Sequence, residues 1–333
     1  MINQALQTGN FDNTLFPHHF ILRERTSQNV AILRIQHSHG ANILNPAVLS
    51  QLDQVVSAAI SDPSIRSVII TASEPGFVFG AEINFFIRHI EQCDLEPIHA
   101  FTRLGNRCFD RIASSPKPVV AVMNGPAFGG GLELALACHA RLTVPGTVMT
   151  LPEVGIGLCP IWGGILRLRQ LIGKEMAKSV IYTGRNISAK EAFEIGIVDY
   201  ISSRDEIMKM AVEISLTNSK IFRSQKNNEA SDHFLQLLKN ETIDSFFRLK
   251  SLDSFDKKTQ ISIKQVCNKS YLALKYCELI FGWDEQISTE ERDHAYYEIV
   301  ERLYRSEDTI TGLNWKRDKK IGLPNFVSKT SLF

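Results

Sequence analysis

The sequence predicts an α/β protein: a mostly parallel sheet with crossover helices, followed by a region that is almost entirely helical. Three observations carry this reading. Strand-like and helix-like stretches alternate from about residue 20 to residue 201. The stretches RSVIITAS (66–73) and PVVAVMNG (118–125) are apolar runs of the length a buried strand needs. After TGRNISAKEAFEIGIVDYI (183–201) the strand signals fade, and residues 204–305 read as helix. At 333 residues, 44% of them hydrophobic, the chain can bury a sizeable core.

Each element follows from local pattern. FILRERTSQNVAILRIQ (20–36) reads as two strands around a polar turn. NPAVLSQLDQVVSAAISDP (45–63) has helical apolar spacing, with Pro63 just past its end. EPGFVFGAEINFF (74–86) is a loop that leads into a helix, and residues 87–115 hold at least one more, ending at the Ser-Ser-Pro-Lys-Pro break. GGLELALACHA (130–140) reads as a helix, and ARLTVPGTVMTLPE (140–153) alternates short strands with turns. SQKNNEASDHF (224–234) is polar and linker-like, and KSLDSFDKKTQ (250–260) is charged and expected to be exposed. No internal repeat is visible.

Composition narrows the function classes. Lys+Arg number 37 and Asp+Glu 36, a formal net charge of +1, which excludes a general nucleic-acid or membrane-surface binder. The six cysteines show neither a CxxC pair nor a zinc spacing, and read as reduced thiols of an intracellular, cytoplasmic protein. MINQALQTGNFDNTLF carries no basic start followed by an apolar run, so no secretory signal is expected. Residues 118–140 contain one charge in 23 positions, but Asn124-Gly125-Pro126 and three successive glycines break the run. A buried strand–loop–helix is the better reading than a membrane span.

The chemistry concentrates in NGPAFGGGLELALACHA (124–140). Backbone N–H groups at a helix start have no intrahelical partner, and the helix dipole adds partial positive charge there. Glycine lets a ligand approach that backbone closely, so the run Gly129–Gly131 suits stabilisation of an oxyanion. The competing reading is a tight turn packed between strand and helix. Glu133 stands in the first turn of this apolar helix, and TLPEVGIGLCPIWGG (150–164) places Glu153 in a second stretch with few charges. Two carboxylates in apolar surroundings suit an acid/base pair, since desolvation raises a carboxyl pKa and each carboxylate disfavours ionising the other. The competing reading is a pair of satisfied buried side chains.

These residues carry a resemblance. NGPAFGGGLELA followed by LPEVGIGLCPIWGG resembles the enoyl-CoA hydratase/isomerase family, the crotonase superfamily. So do ILNPAVLSQLDQVV (43–56), GFVFGAEI (76–83), TGRNISAKEAFEIGIVDYI, and RSEDTITGLNWKRDKK with LPNF (305–326). The resemblance spans about residues 20–203 and 270–326. It implies a crotonase-like spiral of β-β-α turns over residues 1–203, a C-terminal helical region over 204–333, and an extra segment at about 210–268 that minimal hydratases lack.

What the resemblance implies for the site is specific. The thioester oxygen of an acyl-CoA would sit between the N–H groups of Ala81 and Gly130, and Glu133 and Glu153 would hold and activate a water facing one cavity. The reaction would be hydration of the 2,3-double bond of an enoyl-CoA. Phe79 and Gly80, with Lys316, Arg317, Lys319 and Lys320, are candidates for CoA contacts; a solvated basic face is the competing reading of the cluster. CoA would enter as part of the substrate, with no metal or redox cofactor and no nucleic-acid or membrane partner. A homotrimer or a dimer of trimers is implied.

Several positions depart from the family pattern. Ile161 and Trp162 stand where small residues are frequent, so they either reshape the acyl pocket or pack in the core. His139 stands where Asp is frequent and reads as structural. Glu82 replaces Asp, and Asn84 stands where a CoA-binding Lys often occurs. The alternatives kept at this stage are a signal-fatty-acid synthase combining hydratase and thioesterase activity, an acyl-CoA hydrolase or isomerase of the same superfamily, and a non-catalytic scaffold or RNA-binding relative.

Overall fold

A computed structural model describes residues 9–10, 20–36, 40–217, 232–284 and 287–328. The chain divides into two compact units, each assembled from several stretches. The first runs to Ala81, resumes over Leu104–Met149 and again from Asn186; the second takes Glu82–Arg103, Thr150–Arg185 and the described residues from 232 onward.

Except for Thr150 at the end of β8, the first unit holds the described strands: β1 (Gly9–Asn10), β2 (Ile21–Arg25), β3 (Val30–Ile35), β4 (Ser67–Ala72), β5 (Val119–Met123), β6 (Ala127–Phe128), β7 (Ala140–Thr143), β8 (Val148–Thr150), β9 (Ile187–Ser188) and β10 (Tyr200–Ile201). Seven form one sheet in the order β1-β2-β3-β4-β5-β7-β10. β1, β2 and β3 pair antiparallel, as a tight polar turn at residues 26–29 permits. From β3 to β10 every pairing is parallel, with Ile32 opposite Ile69, Ile69 opposite Val120 and Val122 opposite Leu142. Parallel neighbours need crossovers, and the helix Pro46–Ser61 supplies the one from β3 to β4. Asn45 caps that helix by accepting from the Val48 N–H, and Pro46 stands at its first position, where a missing N–H costs nothing.

Every residue of β4, β5 and β7 is buried, as both-face burial of a parallel sheet requires. Ile32, Ile69, Val120, Val122 and Leu142 form one apolar face against Ile207, Ala211 and Val212 of the helix Ile207–Leu216. On β7 the fully buried Arg141 donates to the carbonyls of Cys138 and Ile197 at 2.7 Å each and to Asp199 Oδ2 at 2.7 Å, so its charge is paired and its fork satisfied. β6, β8 and β9 form a second, three-stranded sheet; β8 falls in the stretch expected to alternate short strands with turns, whereas β6 and β9, two residues each, leave no alternation to detect.

The second unit is helical. Helices Gly164–Ile172 and Lys174–Thr183 abut at Gly173. The latter packs on His233–Asn240 and Lys257–Cys267, and Lys178 Nζ donates to the Leu238 carbonyl at 2.7 Å. Arg169 reaches the carbonyls of Phe281 and Trp283 beyond the helix Tyr271–Phe281, at 3.1 and 3.0 Å, answering orphan acceptors at its end. Thr289–Tyr304 starts with a capping box of Ser288 and Glu291, and Glu307–Arg317 with Ser306. The linker-like stretch 224–234 lies outside the described residues up to 231; Asp232 then caps the helix that begins at His233. Residues 250–260 are largely exposed, and Asp256 within them caps the helix starting at Lys257. Among the described residues no helix is long and apolar enough to cross a membrane.

Candidate active site

In the first unit the site residues are set by two chain segments that touch. Residues 73–81 leave β4 as a loop, and Asn42 shapes it. The Asn42 side-chain amide donates to the carbonyls of Ser73 and Gly76 at 2.6 and 2.9 Å, while the Asn42 backbone carbonyl accepts from the Phe79 N–H at 2.8 Å. Against this loop runs the segment from β5 into the helix Gly130–Ala137. The Phe128 N–H donates to the Val78 carbonyl at 2.9 Å, and the rings of Phe79 and Phe128 meet edge to face with centroids 5.7 Å apart. The approach is so close that a Cβ on Gly131 would lie 2.2 Å from the Val78 carbonyl oxygen. Gly129, with φ at +51°, makes the entry turn that L side chains disfavour.

This junction leaves two N–H groups available. Leu44 and Ala81 form an isolated parallel bridge in which the Leu44 N–H donates to the Gly80 carbonyl at 2.8 Å, so Ala81 turns its own N–H away from Leu44. Gly130 is the first residue of its helix, where the N–H has no intrahelical acceptor. Among the described residues neither N–H donates to a protein acceptor. The first intrahelical bond runs from the Glu133 N–H to the Gly129 carbonyl at 3.0 Å. Glu133 is 3% exposed in a helix whose eight residues are all buried, which sets a carboxylate about one turn behind the available donors. The helix ends at Ala137, short of the expected 140, because the His139 N–H donates to the Val119 carbonyl at 2.8 Å and draws the chain into β7. His139 Nδ1 in turn accepts from the Val119 N–H at 3.0 Å, a structural task.

In the second unit Glu153 opens a single 3₁₀ turn, Glu153–Ile156. Its carbonyl accepts from the Leu158 N–H at 2.9 Å, and Gly157, at φ +77°, closes the turn in the left-handed region. Burial above all, with a hydrogen bond to Cys159 and the charge of Glu153, pushes the Cys277 thiol well above its usual range. Ile161 and Trp162 are buried; the indole meets Phe101 edge-on with centroids 5.0 Å apart, and Phe101 continues to Phe85 and Phe86. Lys316 and Arg317 end the helix Glu307–Arg317 and are exposed, with Arg317 bonded to Asp318 at 2.9 Å.

Thus Phe79, Gly80, Ala81, Gly130 and Glu133 belong to one loop–helix junction of the first unit. Glu153, Ile161, Trp162, Lys316 and Arg317 belong to the second. Asn42 escaped sequence reading, because the carbonyls that its amide reaches lie far along the chain, at Ser73 and Gly76. Among the described residues no group of three or more His, Cys, Asp or Glu could hold a metal ion.

The model of the Enoyl-CoA hydratase/isomerase family matches residues 25–247. The chain belongs to this family. The short-chain-enoyl-CoA hydratase of Clostridium acetobutylicum is 38% identical over 189 residues, which is 56% of this chain and 70% of that protein. The crotonyl-CoA hydratase of Syntrophomonas wolfei is 36% identical over 189 residues, 56% and 71% of the two chains. Among solved structures, an enoyl-CoA hydratase from Rhodobacter sphaeroides superposes with TM-score 0.72 at 19% identity, over 93% of this chain and 94% of that one. Pseudomonas aeruginosa DspI superposes with TM-score 0.56 at 27% identity, over 68% and 87%. The fold is therefore that of the crotonase superfamily.

Proposed function

We propose that this enzyme hydrates the 2,3-double bond of an enoyl-CoA to give a 3-hydroxyacyl-CoA. The observation that carries the reading is the junction itself: two available N–H groups, at Ala81 and Gly130, with a buried carboxylate, Glu133, one turn behind them. The two N–H groups donate to the thioester oxygen and stabilise the enolate-like charge that develops when water adds at C3. Glu133 and Glu153 act as the acid/base pair: the water oxygen bonds to C3, its proton passes to a carboxylate, and C2 receives a proton in exchange. Their roles are not divided between them.

The rest of the reading concerns binding. Phe79 and Gly80, with Lys316 and Arg317, contact the adenine and phosphates of CoA, and Ile161 and Trp162 bound the acyl tail. CoA arrives as part of the substrate. Family membership supports a homotrimer or a dimer of trimers, and the six free cysteines suit a reducing cytoplasm.

The test is hydration of crotonyl-CoA, followed by loss of the enoyl absorbance, with release of free CoA read in parallel. Changing either Glu133 or Glu153 to Ala is expected to slow hydration at least ~100-fold, the lower range of general acid–base contributions. A folded variant that keeps its rate overturns the assignment of that residue. CoA release at a comparable rate would instead favour combined hydratase and thioesterase activity. Light scattering on the same preparation checks the assembly, expected at three or six times the chain mass.

A further inference from the structure

The 3₁₀ turn that carries Glu153 is short, and a single turn does not hold its own position. What holds it lies more than a hundred residues away in sequence. The Ser270 N–H donates to the Val154 carbonyl at 3.1 Å. The Thr309 hydroxyl stands 2.6 Å from the Gly157 carbonyl and 2.7 Å from the Leu303 carbonyl, so its one proton bridges the end of the turn to the preceding helix. Both Ser270 and Thr309 are fully buried. Asp308 locks the two together: its carboxylate accepts from the Ser270 hydroxyl at 2.6 Å, from the Ser328 N–H at 3.1 Å and from the Ser328 hydroxyl.

Sterics leave no slack in this seat. A Cβ on Gly312 would lie 2.2 Å from the Ile156 carbonyl oxygen, and one on Gly157 would lie 2.5 Å from the Asp308 carbonyl oxygen. The helix Glu307–Arg317 therefore touches the turn backbone to backbone, and the turn moves only if that helix moves.

From this we infer that Asp308 and Thr309, with Ser270, are positioning residues that set the place of the Glu153 carboxylate. The inference rests on the acid/base reading of Glu153. These residues touch no reacting atom. They act through the turn, and a displacement of about 1 Å at a catalytic group is enough to cost on the order of 100-fold in rate.

Four variants of the 333-residue chain test this: Thr309→Val, Thr309→Ser, Glu153→Gln, and Glu153→Gln combined with Thr309→Val. Thr309→Val keeps the side-chain shape and removes the hydroxyl. It is expected to lower kcat for crotonyl-CoA by roughly 10- to 100-fold while KM changes less than about threefold. Thr309→Ser is expected to restore most of kcat. The double variant is expected to be no slower than Glu153→Gln alone, since a residue that acts only through Glu153 has nothing left to act on. An unchanged kcat in Thr309→Val, or a double variant whose losses multiply, overturns the inference. A Glu153→Gln enzyme with full activity overturns instead the reading beneath it. Should circular dichroism show Thr309→Val to be unfolded, Ser328→Ala reads the same seat from its half-exposed end. The expected result there is a several-fold fall in kcat at constant KM, and an unchanged kcat rejects the inference.

Discussion

Gly131 shows how tightly single atoms are constrained at the loop–helix junction. An added methyl would stand 2.2 Å from the Val78 carbonyl oxygen, far inside contact, and that nearest atom is backbone that cannot rotate away. Gly131→Ala must therefore push the loop that leads to Ala81. The expected outcome is a lower melting temperature, at the ~1–3 kcal/mol scale of overpacking, together with at least ~10-fold slower hydration because the Ala81 and Gly130 donors part. A variant that loses stability but keeps its rate would remove this junction from the chemistry. Residues at this scale were legible where the signal is local. Three glycines before an apolar helix with one carboxylate can be read from the string 129–133 alone. Asn42 could not be, since its acceptors lie 31 and 34 positions on, and neither could Thr309, whose acceptor Gly157 lies 152 positions back.

Elements were legible in proportion to their length. The strands 67–72 and 119–123 and the helix 46–61 stand within two residues of their expected bounds, because the strands are unbroken apolar runs and the helix is long enough for its burial to show a period. The Glu153 turn and the two-residue strands of the small sheet repeat nothing, and tertiary contacts alone define them. Trp162, in the loop between that turn and the helix Gly164–Ile172, brings the question to a single side chain. Sequence offered two roles, a wall of the acyl pocket or a packing residue. The indole is 4% exposed and lies edge-on to Phe101, so packing is established for it. Trp162→Gly is expected to destabilise the fold by roughly 3–5 kcal/mol, the scale of large aromatic truncations, seen as a fall in melting temperature. If the ring also bounds the acyl tail, the same variant gains on longer or branched enoyl-CoAs relative to crotonyl-CoA, by about 1–3 kcal/mol of discrimination per methylene. A lower melting temperature with an unchanged substrate profile assigns Trp162 to packing alone.

At the scale of the whole chain, compactness interleaves the stretches: residues 82–103 and 150–185 group with the C-terminal helices. Interleaving is invisible to periodicity, which reports what each segment buries but not against which other segment. It has a consequence for truncation. The helix Lys174–Thr183 buries Ala177, Val180, Ile181 and Tyr182, and the partners that cover it include 233–240, 257–267 and 271–281. Cutting the chain after residue 217 would uncover that face, at about 1.5–3 kcal/mol for each large apolar side chain exposed. It would also strip the Leu238 acceptor from Lys178 and the Phe281 and Trp283 acceptors from Arg169, and would take away Ser270, Asp308 and Thr309. Against a total stability of ~5–15 kcal/mol for a typical domain, such a loss is decisive. The fragment 1–217 is therefore expected to be insoluble or to bind a hydrophobic dye with no cooperative melt, and to lack hydratase activity even at high concentration. A soluble fragment that melts cooperatively and hydrates crotonyl-CoA would make the C-terminal helices an appendage, and would also contradict the seat they provide for Glu153.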